Sequence, residues 1–437
     1  MTKKNIVSMV CFILMAIPAI AQVTERKQPE EWKNLVEGAR FRDRFMPMQG
    51  KQLKVAPWGA PGVKRRLADN GIENPRWSYW GGNIVKGDDG KYHLFVCGWR
   101  EDSKHGHFEW PRSIVFHAVS KNSYGPFSVV DTIGRGHNPE IYRLADGRYV
   151  LYVIDGRYVA PMISGPWTYG KFDFDAQGKK VSDGLSNMSF CRRPDGKFLM
   201  VSRGGEIWQS EDGLSKWVML TESVYPKIRG RFEDPVIWCD SVQYNLIVND
   251  WLGRIAYYLR SADGIHWVTD PGEAYTPGIA FHKDGTREDW FKYERIKILQ
   301  DKYGRAIQAN FAVIDTLKGK DKPNDNHGSK NIAIPLNPGM LLTLESATNS
   351  EIISVRISAE HGFKPSRDVD ISSLRFGASS EVNFGRGAKA IRAERRGSNL
   401  IVSFLAQECK ITPEEFAPKM IGHRKSGELL FGFVRNY

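Results

Sequence analysis

Apolar and polar positions along the chain fall into one layout that occurs five times: a polar or small residue, an apolar strand, a tight turn and a second apolar strand. The segments read GGNIVKGDDGKYHLFVCGW from Gly81, HNPEIYRLADGRYVLYVI from His137, SNMSFCRRPDGKFLMVSR from Ser186, EDPVIWCDSVQYNLIVND from Glu233 and YERIKILQDKYGRAIQANFAV from Tyr293. The Asp-Gly pairs Asp89-Gly90, Asp146-Gly147 and Asp195-Gly196 predict hairpin turns, because glycine takes the positive φ such turns demand. Each of the first four segments is followed by a second hairpin with a small residue, a Gly turn and a closing aromatic, Phe127, Trp167, Trp217 or Trp267. Four short antiparallel strands per unit, at spacings of roughly 45–60 residues, predict an all-β chain built on a five-bladed β-propeller. A β-sandwich of the same length would show short strands and turns, but not one recurring layout.

The flanks break this pattern. Residues 22–76 begin with EEWKNLVEGARFRDRF, in which Trp32, Leu35, Val36 and Phe41 have helical spacing, and continue as a Pro/Gly-rich extended stretch. From residue 332 to residue 437 separate strands such as MLLTLES, EIISVRIS, NLIVSFLA and ELLFGFVRN predict a C-terminal β-sandwich domain. The propeller is therefore expected over residues 77–331. The polar TLKGKDKPNDNHGSKN, with Asp325, His327 and Lys330, reads as a linker or a loop over the propeller face. At the other end, Lys3 and Lys4 precede an apolar core that ends in the small-residue site Ala19-Ile20-Ala21. This predicts a signal peptide over residues 1–21 and a secreted or periplasmic protein, since the apolar run falls short of the ~18–20 residues of a spanning helix. No later segment is apolar enough to span a bilayer.

Thirteen Trp, 16 Tyr, 22 Phe and 42 Gly suit many strands joined by tight turns. The formal charge of +12 loses two units with Lys3 and Lys4. In an exported protein this positive balance points away from nucleic acid and toward an anionic glycan, uronate-bearing or sulfated, although scattered Lys and Arg also describe a basic surface without a ligand. Cys97, Cys191, Cys239 and Cys409 lie far apart in strand-like runs, which predicts free buried thiols rather than a disulfide framework. No spacing resembles a metal site, and no cofactor is expected.

Aligning the repeats through their strands places Gly81, Asn138, Asn187, Asp234 and Glu294 at equivalent blade starts, with Asn83, His137, Glu140 and Glu233 beside them. Strand alternation then turns Glu233 away and leaves Asp234 facing the channel. Two carboxylates across a sugar-sized pocket are the minimum equipment for glycoside hydrolysis. Glu294, flanked by Trp290, Phe291 and Tyr293, has the apolar surroundings that keep an acid protonated, and Asp234 becomes the base or the group that tunes the acid. His137 is a second acid–base candidate or a histidine bound at a turn. Trp80, Trp99, Trp110 and Trp251 are either sugar platforms or packing between blades. Arg76, Arg100, Arg231 and Arg254 lie where they could clamp a carboxylate or sulfate, with Asp250 orienting such an arginine.

The blade starts HNPEIY and FEDPVIW, the SxDGxxW hairpins and the late YER glutamate resemble the five-bladed propeller glycoside hydrolases of families 43 and 117 over roughly residues 77–320. That resemblance implies a base from the first blade, a DP aspartate that tunes and orients (Asp234) and a later glutamate as acid (Glu294). The chain departs from the pattern: the first blade offers SYWGGN without a carboxylate, and the second offers HNP in place of HDP. The base is thus missing or moved to Glu140 or His137. The resulting expectation is a secreted glycoside hydrolase acting on an acidic or sulfated plant or algal glycan. The alternatives are a lyase, in which His or Tyr abstracts a proton beside an arginine-neutralised uronate, and a non-catalytic glycan-binding propeller.

Overall fold

The computed structural model describes residues 24–51, 69–182, 184–288, 290–324, 329–348 and 350–436. The expected signal peptide, Asp325 and His327 lie outside them. Among the described residues no helix is long and apolar enough to cross a membrane.

The five repeats form five successive antiparallel sheets. The first holds β1 (Trp77–Lys86), β2 (Tyr92–Arg100), β3 (Ile114–Ser120) and β4 (Ser128–Arg135). The second holds β5 (Glu140–Arg143), β6 (Tyr149–Val153), β7 (Gly156–Ala160) and β8 (Thr168–Gly170). The third comprises β10 (Ser189–Arg192), β11 (Phe198–Val201), β12 (Ile207–Ser210) and β13 (Trp217–Thr221), with the short β9 (Phe174–Asp175) parallel on its outer edge. The fourth is β14 (Phe232–Cys239), β15 (Tyr244–Asp250), β16 (Ile255–Ser261) and β17 (Trp267–Tyr275), and the fifth is β18 (Lys292–Gln300), β19 (Ala306–Ile314) and β20 (Lys330–Pro335). The predicted turns are present, with Gly90, Gly147 and Gly196 at φ of 77°, 90° and 88°.

First strands neighbour one another in order, β5 and β10 through the Ser189 hydroxyl and Phe190 amide on Glu140, and the last returns to the first, since β18 packs on β1. Each of the five seams has its own apolar core. Phe95 and Val115 meet Ile141 and Leu151 between sheets one and two, and Tyr152 meets Phe190, Trp208 and Trp217 between two and three. Leu199 meets Leu246 and Tyr257 at the next seam, Trp238 meets Phe311 at the fourth, and Tyr79 and Leu94 meet Leu299 where the ring closes. At the second seam Phe190 stacks on Tyr152 with centroids 3.8 Å apart. Truncating so enclosed a ring to alanine costs about 3–5 kcal/mol.

The segment before the repeats differs from expectation. Its helical spacing resolves into two short 3-10 turns, Glu30–Asn34 and Phe41–Arg44, because Trp32 and Phe41 are drawn into the ring's outer cores rather than along one helix. Further on, the Ile72 amide donates to Asn331 O at 3.0 Å, so the start of the chain extends the three-stranded fifth sheet. The boundary expected between residues 331 and 332 falls inside β20, and the chain leaves the ring only after Pro335.

Beyond it lie two four-stranded sheets. One contains β21 (Leu342–Leu344), β22 (Ile352–Ile357), β25 (Arg392–Arg396) and β26 (Asn399–Leu405); the other contains β23 (Val369–Gly377), β24 (Ala388–Lys389), β27 (Lys419–Arg424) and β28 (Leu429–Phe433). They share one core of Val355, Phe376, Val402, Phe404 and Met420. Arg44 joins this unit to the ring, its guanidinium 4.6 Å from the Phe41 centroid and 4.4 Å from that of Phe431.

Candidate active site

The start of each first strand is bent in the same way. Gly81, Asn138, Asn187, Asp234 and Arg295 have φ of 60°, 53°, 52°, 58° and 52°. Where the strands are long enough to show it, a bulge falls at this point, between Trp80 and Asn83, Glu233 and Val236, and Glu294 and Lys297. The ring position equivalent to Asp234 is therefore Arg295, and the equivalent of Glu294 is Glu233. The alignment expected from sequence was one residue out in the fifth repeat. The bulge also overturns the expectation that Glu233 turns away from Asp234. A left-handed residue inside a strand breaks the two-residue alternation, and one carboxylate oxygen from each of Glu233, Asp234 and Glu294 lies within 4.8 Å of the others.

This cluster is ringed by cations. Lys318, on the 3-10 turn Lys318–Lys320 after β19, bonds to Glu294 Oε2, and Lys292 Nζ lies 3.3 Å from Oε1. Arg295 Nε approaches Asp234 Oδ1 at 3.0 Å, and the Asn187 side-chain amide donates to the same oxygen at 3.1 Å. Arg203, in the turn after β11, lies 3.2 Å from Glu233 Oε2. Asp234 Oδ2 and both polar atoms of the Asn138 side chain are buried without a hydrogen-bond partner. The three carboxylates have the donor types to hold a cation, but Lys318, Lys292 and Arg295 already supply positive charge there.

The surroundings drive the proton affinities of the carboxyls apart. Burial, with the nearby charges of Asp234 and Glu294, pushes Glu233 up to about 7. Burial also pushes Asp234 up, against the pull of Arg295. For Glu294, burial is outweighed by Lys318 and Lys292, which hold it down at about 2. Glu294 is thus the ionised member, not the protonated one its aromatic neighbours suggested, because the two lysines arrive from outside the motif. Burial works against the Lys318 charge, but Glu294, Glu233 and Asp234 keep its ammonium above the ordinary lysine value.

Other expected site residues fall elsewhere. Glu140 is buried one layer deeper, bonded to Lys297 Nζ, 2.5 Å from the Tyr142 hydroxyl and 3.2 Å from Ser189 Oγ. All its oxygens have partners of the fold, which argues against a relocated base. His137 is buried, and burial holds its imidazole well below the ordinary histidine value. Its Nδ1 lies 2.9 Å from Ser113 Oγ and 3.3 Å from Cys97 Sγ, so the ring is tied into the fold. Trp110 and His137 do line a cleft of about 530 Å³ with Arg135 and Tyr169.

Trp80 is 1 % exposed, beneath the Lys318 ammonium at 5.0 Å and against His107 at 4.7 Å, so it supports the cluster rather than offering a face to sugar. Asn83 uses its amide on the Ile141 backbone. Asp250 is buried beneath Arg26 at 2.6 Å and accepts from the Arg231 and Gly253 amides, so it pins the N-terminal segment instead of orienting an arginine at the mouth. The Arg231 side chain is exposed, and Arg254 pairs with Glu25 at 2.6 Å. Asn138 and Asn187 do reach the ring. Sequence reasoning missed Lys318, Lys292, Arg203 and Arg295; the one available signal was that EDPVIW and ERIKIL align on their glutamates.

No family model matches the chain, and no curated protein matches it. Among solved structures, a family 117 glycoside hydrolase of the marine bacterium Zobellia galactanivorans is similar at 11% identity and a TM-score of 0.46, covering 67% of this chain and 90% of its own. A GH43 β-1,3-galactosidase is similar at 12% identity and a TM-score of 0.43, over 89% of this chain and 82% of its own. The GH43 endo-arabinanase of Bacillus licheniformis is similar at 16% identity and a TM-score of 0.41, over 64% and 97%.

Proposed function

We propose that the five ring sheets are the blades of a five-bladed β-propeller with a C-terminal β-sandwich, and that the ring mouth is the active site of an exported glycoside hydrolase acting on an anionic plant or algal glycan. The observation that carries this reading is the opposed protonation of Glu233 and Glu294, raised to about 7 and lowered to about 2, with oxygens within 4.8 Å. Two carboxyl groups whose surroundings drive their pKa values apart are the acid and the anion of a glycosidase. Glu233 donates its proton to the leaving glycosidic oxygen, while Glu294 meets the charge that develops at the anomeric carbon. Asp234, fixed by Asn187 and Arg295, helps keep Glu233 protonated.

An anionic substrate is favoured because Arg203, Lys292, Lys318 and Arg295 surround three carboxylates, one of which is protonated near neutrality. The unpartnered Asn138 amide and Asp234 Oδ2 are left for sugar hydroxyls.

The test is incubation with a panel of uronate-bearing and sulfated oligosaccharides, reading product mass and anomeric proton signals for wild type and Glu233→Gln. Hydrolysis is expected, reduced about 10²–10⁴-fold in the variant. A product with a new ultraviolet-absorbing double bond would make the protein a lyase. Binding without turnover would make it a glycan-binding propeller.

A further inference from the structure

We propose that Cys191 and Cys239 form a disulfide that staples the third sheet to the fourth under oxidising conditions. Cys191 lies in β10 and Cys239 ends β14, neighbouring first strands of the ring. Both sulfurs turn to one acceptor, the Arg192 carbonyl, at 3.6 Å from Cys191 Sγ and 3.3 Å from Cys239 Sγ. The strands are in register here: the Ile237 amide donates to Ser189 Oγ at 3.3 Å, two residues before Cys239 and Cys191 respectively. The other described cysteines have separate partners: Cys97 Sγ donates to Trp80 O at 3.0 Å and Cys409 Sγ to Leu405 O at 3.4 Å.

The pair is asymmetric in a way that suits exchange. Cys191 is buried in the seam, whereas Cys239 is only partly buried and can be reached from outside. The neighbouring Cys191 side chain holds the Cys239 thiol below its ordinary value, which favours its thiolate as the entering nucleophile. Cys239 Sγ attacks one sulfur of an external disulfide, expelling the first thiol. Cys191 Sγ then attacks Cys239 Sγ and expels the second. The protein loses two electrons and two protons, and the external disulfide is reduced to two thiols. No outside reagent has to enter the seam for the second step.

The experiment treats the full chain with oxidised glutathione, quenches with a maleimide and maps peptides by mass. A linked pair of peptides carrying Cys191 and Cys239 is expected, lost on reduction with dithiothreitol. Cys191→Ser should instead accumulate a glutathione adduct on Cys239, and Cys239→Ser should form neither. Oxidation should raise the wild-type Tm by about 4 °C or more and leave that of Cys239→Ser unchanged. A stable glutathione adduct on wild-type Cys239, or two cysteines that stay free after oxidation, would overturn the proposal.

Discussion

Two clusters of buried charge sit on the same first strands, a few residues apart, and behave differently. In the deeper one Glu140 and Lys297 face each other across the ring, and the carboxylate is also bonded by Tyr142 and Ser189. In the outer one Glu233, Asp234 and Glu294 share four cations, yet Asp234 Oδ2 is left without a partner, and Glu233 is pushed up to about 7 while Glu294 is held down at about 2. Saturated hydrogen bonding marks the deeper pair as an element of the fold, since any proton moved there strands a charge. The outer cluster keeps a proton it can release and acceptors it has not used. Burial alone therefore does not separate the two layers; the deeper carboxylate has every oxygen bonded, whereas the outer cluster keeps an acceptor free on Asp234.

The sharpest way to break this contrast is to replace one carboxyl group in each layer. Glu233→Gln should lower kcat by about 10²–10⁴ while the protein stays folded, checked by turnover beside a thermal melt. Glu140→Gln should do the opposite, costing about 3–5 kcal/mol of stability because Lys297 keeps a buried, unpaired charge. Pairing it with Lys297→Met should restore most of that loss in urea unfolding, whereas a double variant that remains as unstable as the single would mean the pair is not the cause.

The outer layer also has a pH signature. A carboxyl raised to about 7 in the fold binds more protons than in the unfolded chain between its ordinary value of 4.5 and 7, so it costs stability as pH rises through that window. Glu233→Gln should consequently be more stable than wild type above pH 7, by up to about 3 kcal/mol, with the difference vanishing below about 4.5. The same group predicts that kcat/KM falls tenfold per pH unit above about 7, with no acid limb from Glu294 until far lower pH. A flat profile to pH 9 would remove Glu233 as the acid. The smallest expected effect is that of Asn187→Ala, which loses one hydrogen bond to Asp234 and should slow turnover about 5–10-fold, in line with ~1 kcal/mol.

Sequence reading reached the ring architecture because hairpin turns leave local marks: Asp-Gly at residues 89–90, 146–147 and 195–196, and closing aromatics at Trp167, Trp217 and Trp267. It also brought Asp234, Glu294, Asn138 and Asn187 to one place. It missed the pairing of Glu233 with Glu294 because the bulge that aligns them has no fixed residue type, and an arginine at φ 52° is not a recognisable signal. It inverted the protonation of Glu294 because local aromatics were weighed without Lys318, which arrives from 24 residues further along. Glu140 was misread for a related reason: its partner Lys297 is 157 residues distant, beyond any window of periodicity.

The left-handed position in each blade start has a bearing on how such a site can change. Gly81, Asn138, Asn187, Asp234 and Arg295 occupy a backbone conformation costing most side chains roughly 1–2 kcal/mol, so that position admits a restricted vocabulary. The residue just before it is under no such restriction, and in this chain it is Trp80, His137, Ser186, Glu233 and Glu294. Changes at the ring mouth should therefore be easier to install at the second set, at His137 and Ser186 before the two glutamates that carry the proposed chemistry, while the first set remains a nearly fixed frame.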